Sequence, residues 1–105
     1  MHLSFKKWIE DKSAELLTNG IKTIIVRFIE PGGELADPVI AVEHLASESM
    51  GEVMVWQSGN MDFEVLEVDS GKMILWPHKE LECASEFEDA LKEYFDVLLG
   101  KELSR

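Results

Sequence analysis

The sequence predicts an α+β fold, an antiparallel meander of four to five strands with an N-terminal and a C-terminal helix packed on one face. Three observations predict it. Apolar residues recur at helical spacing between Phe5 and Leu17 and again between Phe87 and Leu98. Between these segments lie runs rich in β-branched and aromatic residues, punctuated by Gly, Pro and Asn. Those runs follow one another too closely for parallel pairing, which needs a crossover of about a dozen residues or more.

Taken in order, Ser4 is placed to cap a helix from Phe5 to Thr18, with Phe5, Trp8, Ile9, Leu16 and Leu17 near one apolar stripe. Asn19-Gly20 is its stop signal. IKTIIVRFI (21–29) reads as a largely buried strand, and EPGGELADP (30–38) as a loop. VIAVEHLAS (39–47) is a second strand and ESMG (48–51) a turn. EVMVWQ (52–57) and MDFEVLEV (61–68) form strands three and four about Ser58-Gly59-Asn60. Asp69-Ser70-Gly71-Lys72 then leads into a fifth strand, KMILWP (72–77), which Pro77 ends. Ser85 and Glu88 have the S-x-x-E spacing of a capping box. Phe87, Leu91, Tyr94, Phe95 and Leu98 continue as the closing helix, and Gly100 stops it. Each helix has a single apolar face, so both are expected on one side of the sheet, leaving the other side open.

A chain of 105 residues, 46% of them hydrophobic, is expected to form a single domain (1–105) with a packed core. No apolar run approaches the ~18 residues that cross a bilayer. MHLSFKKWIEDK has no apolar signal-peptide region, because Glu10 and Asp11 interrupt it. Cys83 is the only cysteine and has no partner for an internal disulfide. These features point to a soluble protein of a reducing cytoplasm.

Charge is the informative part of the composition. The net charge is −11, from 21 acidic and 10 basic residues. Glu30, Glu34, Asp37, Glu43, Glu48, Glu52, Asp62, Glu64, Glu67 and Asp69 all lie between Arg27 and Lys72, a stretch without one Lys or Arg. The excess is therefore concentrated in the middle of the chain. Such a field disfavours nucleic acid and anionic membranes and favours a basic protein partner.

The chemistry-bearing residues divide as follows. Asp62 and Glu64 are two apart on a strand and share a face. Paired carboxylates can do acid–base work or bind a hard cation, but no loop of regularly spaced oxygens accompanies them, so a solvated strand face is the preferred reading. His44, His78 and Cys83 match no zinc spacing, and nothing around Cys83 marks a nucleophile. Gly32-Gly33 lacks the lysine and helix of a phosphate loop. The chain is thus read as a non-enzyme without metal or cofactor. Trp56 shares a strand face with Met54, while Val53 and Val55 point the other way. Aromatic and thioether groups ringed by carboxylates have the character of an interface core with a polar rim.

Through KKWIED (6–11), EVMVWQSG (52–59) and KMILWP (72–77), with a tryptophan in each, the chain resembles the TriTu (three-tryptophan) immunity proteins of bacterial polymorphic toxin systems. The likeness runs from about Phe5 to Leu99. It implies a protein that binds and blocks a cognate toxin made by the same cell. Combined with the charge argument, the expected partner is a basic toxin, and the expected contact residues are Glu43, Glu52, Trp56, Asp62 and Glu64. The alternative is a small acidic accessory or scaffold domain that binds another protein or pairs with a second copy through the open sheet face.

Overall fold

The computed structural model describes residues 1–28, 38–75 and 77–100, with the side chain of Leu75 left aside. The expected 30–38 loop apart from Pro38, the carboxylates of Glu30, Glu34 and Asp37, and Trp76 lie outside the described residues.

The architecture is α+β, as the sequence predicts. Helix α1 (His2–Thr18) precedes β1 (Lys22–Phe28), β2 (Val39–Leu45), β3 (Ser49–Trp56), β4 (Asn60–Glu67), β5 (Met73–Leu75) and β6 (His78–Glu80); α2 (Phe87–Ala90) and α3 (Lys92–Leu98) close the chain. The strands form one antiparallel sheet in the order β1-β2-β3-β4-β5, with β6 also paired to β4. β6 is an addition to the expected meander. It takes the part of the β4 edge beyond Pro77, whose carbonyl accepts a hydrogen bond from the Phe63 N–H at 3.3 Å.

α1 begins at His2, with Met1 as the residue before its first turn and no side-chain cap, so Ser4 is a helical residue and not the cap. At the other end the Asn19-Gly20 signal is realised in full. Gly20 has φ +83°, its N–H bonds the Leu17 carbonyl, and the Ile21 N–H bonds the Leu16 carbonyl. That double bond, with Leu16 and Ile21 both buried, is a Schellman closure with its apolar clasp. Leu17, read as part of the stripe, is 65% exposed on the opposite side.

β1 corrects a second expectation. It has only β2 beside it among the described residues, carries an irregularity between Ile25 and Arg27, and leaves Ile25 36% and Val26 46% exposed. A run of β-branched residues marks a strand but does not distinguish an edge from a centre. β3 begins at Ser49, three residues before the expected start, so Met50 and Gly51 belong to the strand and the turn is confined to Ala46–Glu48.

The closing helix also starts earlier than its expected cap. A 3-10 turn at Ala84–Glu86 leads into α2. The Glu86 carboxylate, not that of Glu88, accepts the backbone N–H groups of Glu82 and Cys83, at 2.6 and 3.0 Å. These bonds to the charged form hold the Glu86 carboxyl below its ordinary range. Glu88 instead forms an ion pair with Lys12 of α1, tying the two helical segments together.

One face of the sheet carries the core. Phe5, Ile9 and Leu16 from α1, and Phe87, Leu91, Tyr94 and Leu98 from the closing segment, pack with Val42, Val53, Val55, Met61, Phe63 and Val65. Phe5 meets Phe87 edge-on at 5.1 Å and Phe63 meets Tyr94 at 5.4 Å, so both helical segments sit on the same side. Trp8 and Phe95 are only partly buried at the margin of this cluster.

At its centre, Tyr94 lies against Gly51, whose strand position would drive an added Cβ into the phenol ring. Cross-strand from Gly51 is His44, fully buried, with Nδ1 2.7 Å from the Tyr94 hydroxyl. Burial lowers the His44 pKa to about 4, so the imidazole is neutral. Burial, and then the charges of Glu52 and Glu64, raise that of Tyr94, which stays a phenol.

Two outcomes are expected. Gly51→Ala should displace the Tyr94 ring and cost about 1–3 kcal/mol in urea unfolding, as overpacked cores do. The unfolded chain protonates His44 below its ordinary 6.5, whereas the fold does so only near 4. Stability from this residue is therefore present above pH 6.5 and lost as pH falls from there to about 4, by roughly 3 kcal/mol in all. His44→Gln should flatten the stability profile across that window; an unchanged slope would assign the acid loss to other groups.

Candidate partner-binding face

The alternation along β3 and β4 decides what lies on the uncovered side. Ser49, Gly51, Val53 and Val55 of β3 and Met61, Phe63 and Val65 of β4 face the helices. Met50, Glu52, Met54 and Trp56, with Asp62, Glu64 and Leu66, face the other way and are partly exposed. All five residues expected from the sequence thus come together on one face. Register gives them a specific order. Glu43 pairs with Glu52 and Glu52 with Glu64, so three carboxylates stand directly opposite one another on neighbouring strands. In the next row Ala41, Met54, Asp62 and His78 align, and beyond it Trp56 pairs with Val39.

Opposed like charges destabilise a sheet, and among the described residues no ion pair offsets them. Neither Glu43, Glu52 nor Glu64 makes an ion pair among the described residues. Burial and then the Glu64 and Glu43 charges raise the Glu52 pKa above its ordinary value. The cations nearest in register are at the β1 margin, where Lys22 and Arg27 pair with Leu45 and Ala41. Lys79 of β6 is turned to the helix side. Its ammonium donates to the Ala90 carbonyl at 3.0 Å and sits 5.7 Å from the Phe63 ring centre.

Glu52, Met54, Asp62, Phe63, Glu64 and Pro77 line a groove of about 360 Å³ at the β4 edge. Asp62 is in ion-pairing contact with His78 across the β4–β6 ladder. That pair is half exposed and solvated. Among the described residues no group of three or more His, Cys, Asp or Glu side chains is placed to hold a metal ion. His44 is on the opposite face from Asp62 and Glu64, and the exposed Cys83 lies against Ser85 at 2.9 Å. Trp56 is half-buried beside the nearly inaccessible Val39, and Trp8 stacks with Phe5 on the helix side.

A further part of this face was hidden by reading ESMG as a turn. With β3 beginning at Ser49, Met50 pairs with Leu45 and Leu66, and Leu66 with Met73. The burial alternation of residues 49–56 starts at Ser49, but its inward residues there are Ser49 and Gly51, so hydrophobic periodicity does not mark the start.

Geometry defines the class first: a small α+β protein with one sheet face filled by helices and the other acidic and uncovered by any described element. The family described as Immunity protein TriTu matches residues 4–97, and the chain belongs to that family. Neither the curated proteins nor the solved structures compared with the chain give a significant match.

Removing the central charge should relieve the row. Because the fold holds the Glu52 proton more tightly than the unfolded chain does, this residue's contribution to stability is greatest at low pH and is lost as pH rises through its raised pKa. Glu52→Gln should therefore stabilise the free protein at neutral pH by about 0.2–1 kcal/mol. The gain should shrink toward pH 4 in the same denaturation experiment.

Proposed function

We propose that this chain is a cytoplasmic, non-catalytic immunity protein of one domain, which docks its open sheet face on a basic surface of a cognate toxin. Family membership supports the toxin-neutralising role. The observation that carries the basic partner is the Glu43–Glu52–Glu64 row, aligned by register and without a counter-cation among the described residues. A cationic partner supplies the missing charge and opposes the repulsion that Glu64 and Glu43 exert on Glu52. Trp56, at the apolar end of the face, is the anchor in this reading, with Asp62 and Glu64 on the rim. Exposed rim charges act on encounter through a field screened over about 8–10 Å at physiological salt, whereas a desolvated aromatic anchor acts on residence time.

The test is binding kinetics with a cognate toxin domain. Asp62→Asn/Glu64→Gln should slow association several-fold at low salt and leave dissociation nearly unchanged. Trp56→Ala should accelerate dissociation about tenfold, equivalent to about 1.4 kcal/mol. A toxin that binds equally well at low and high salt would remove the electrostatic reading, and failure to find any partner that binds better at low salt would favour an accessory or scaffold role.

A further inference from the structure

We propose that the element seated on this face is an amphipathic helix of the toxin, lying across the strands with a Lys/Arg stripe over the carboxylate row and apolar residues over the Leu45–Met50–Leu66–Met73 row beside it. This rests on the immunity reading above and specifies its epitope.

The carrying observation is the row next to the carboxylates. Leu45, Met50, Leu66 and Met73 align across β2 to β5, none belongs to the buried core cluster, and Leu45 and Met73 are 36% and 37% exposed. The row on the other side is mixed, with Ala41 buried and Met54 next to the polar Asp62–His78 pair. The face thus carries one apolar stripe beside one acidic stripe, both running across the strands.

Dimensions select the occupant. Opposed residues on antiparallel strands are about 4.5–5.5 Å apart, so the three carboxylates span about 10 Å. A helix presents neighbours at i, i+3 or i+4, and i+7 with a spacing of about 5–6 Å, close to that repeat. Same-face residues of a strand are about 6.6–6.8 Å apart and fall out of step over three positions. That same distance separates adjacent rows on this sheet, which puts the apolar row about 6.7 Å from the carboxylates. A helix with its side chains is about 10–12 Å wide and covers both rows. Thioethers at Met50, Met54 and Met73 adapt to the flanking residues they meet.

Charge excludes the competing occupants. A second copy related by two-fold symmetry would bring the Glu43–Glu52–Glu64 row against its own image, in a chain of net charge −11. Nucleic acid and anionic lipid meet the same repulsion.

The experiment introduces a photo-crosslinking residue at Met50 or Leu66, in separate proteins, and adds the same cognate toxin domain. Both positions should crosslink to a single toxin segment, at residues three or four apart and flanking a Lys or Arg. In parallel, Met50→Gln/Leu66→Gln should retain the wild-type melting temperature and dissociate from the toxin about tenfold faster. Met73→Gln, at the exposed margin, provides a second variant should the first lose stability. Crosslinks to separate segments or to residues two apart would overturn the helix. So would wild-type dissociation by the folded apolar-row variants, and if Trp56→Ala still weakened binding, the immunity reading would stand without it. A wild-type protein that fails to bind the toxin at any salt would sink both, and crosslinked homodimers would put a second copy in the helix's place.

Discussion

The ring of Tyr94 rests on the bare backbone of Gly51, and much of the molecule is arranged around that contact. It brings α3 down onto the centre of the sheet and puts the phenol hydroxyl within reach of His44 on the neighbouring strand. Both partners are held neutral by burial, so the pair is a hydrogen bond between uncharged groups and not a buried ion pair. Its geometry leaves His44 Nε2 without a partner among the described residues. Surrounding rings, Phe63 and Phe95 among them, close the site. Aromatic packing there outweighs the desolvation of one imidazole nitrogen.

This contact also explains why the two faces differ. With α1 on β1 to β3 and α3 on β3 and β4, the helices fill one side and none of the described elements remains for the other. On the opposite parity β3 and β4 are partly exposed, while Val39 and Ala41 of β2 are buried. In β3 and β4 that parity holds Glu52 and Glu64, flanked by Met and Leu side chains. The faces still communicate electrostatically, since the same two carboxylates contribute to raising the Tyr94 pKa from across the sheet. Relieving the repulsion by mutation and relieving it by binding are alternative routes to a lower free energy. Retaining the charges leaves the free fold less stable than it could be, as binding surfaces commonly do.

Legibility followed the range of the interactions. Period-2 alternation placed Glu52, Trp56, Asp62 and Glu64 on their strands, and antiparallel adjacency was enough to bring Glu43 alongside. Gly20 and the Schellman closure were readable because the whole device spans six residues, Leu16 to Ile21. Boundaries set by competition between neighbours were not. Glu86 and Glu88 are both spaced to cap something, and only the docking of Lys12 from α1 decides which one turns back to the backbone. The edge position of β1 and the strand after Pro77 depend on what each pairs with, which apolar periodicity does not encode. The start of β3 was a misreading of a different kind. Ser-Met-Gly resembles a turn by composition, and its glycine is there to admit a ring rather than to bend the chain.

Lys79 gives the open face a further property. It is on β6, within the same ladder as Asp62, yet its ammonium is committed to the Ala90 carbonyl and the Phe63 ring on the far side of the sheet. The nearest candidate for an internal counter-ion on that edge is thereby sequestered. Among the described residues, no ion pair of Glu43, Glu52 or Glu64 stands in the way of an incoming cation. In the docking proposed above, the row meets its partner already aligned by strand register.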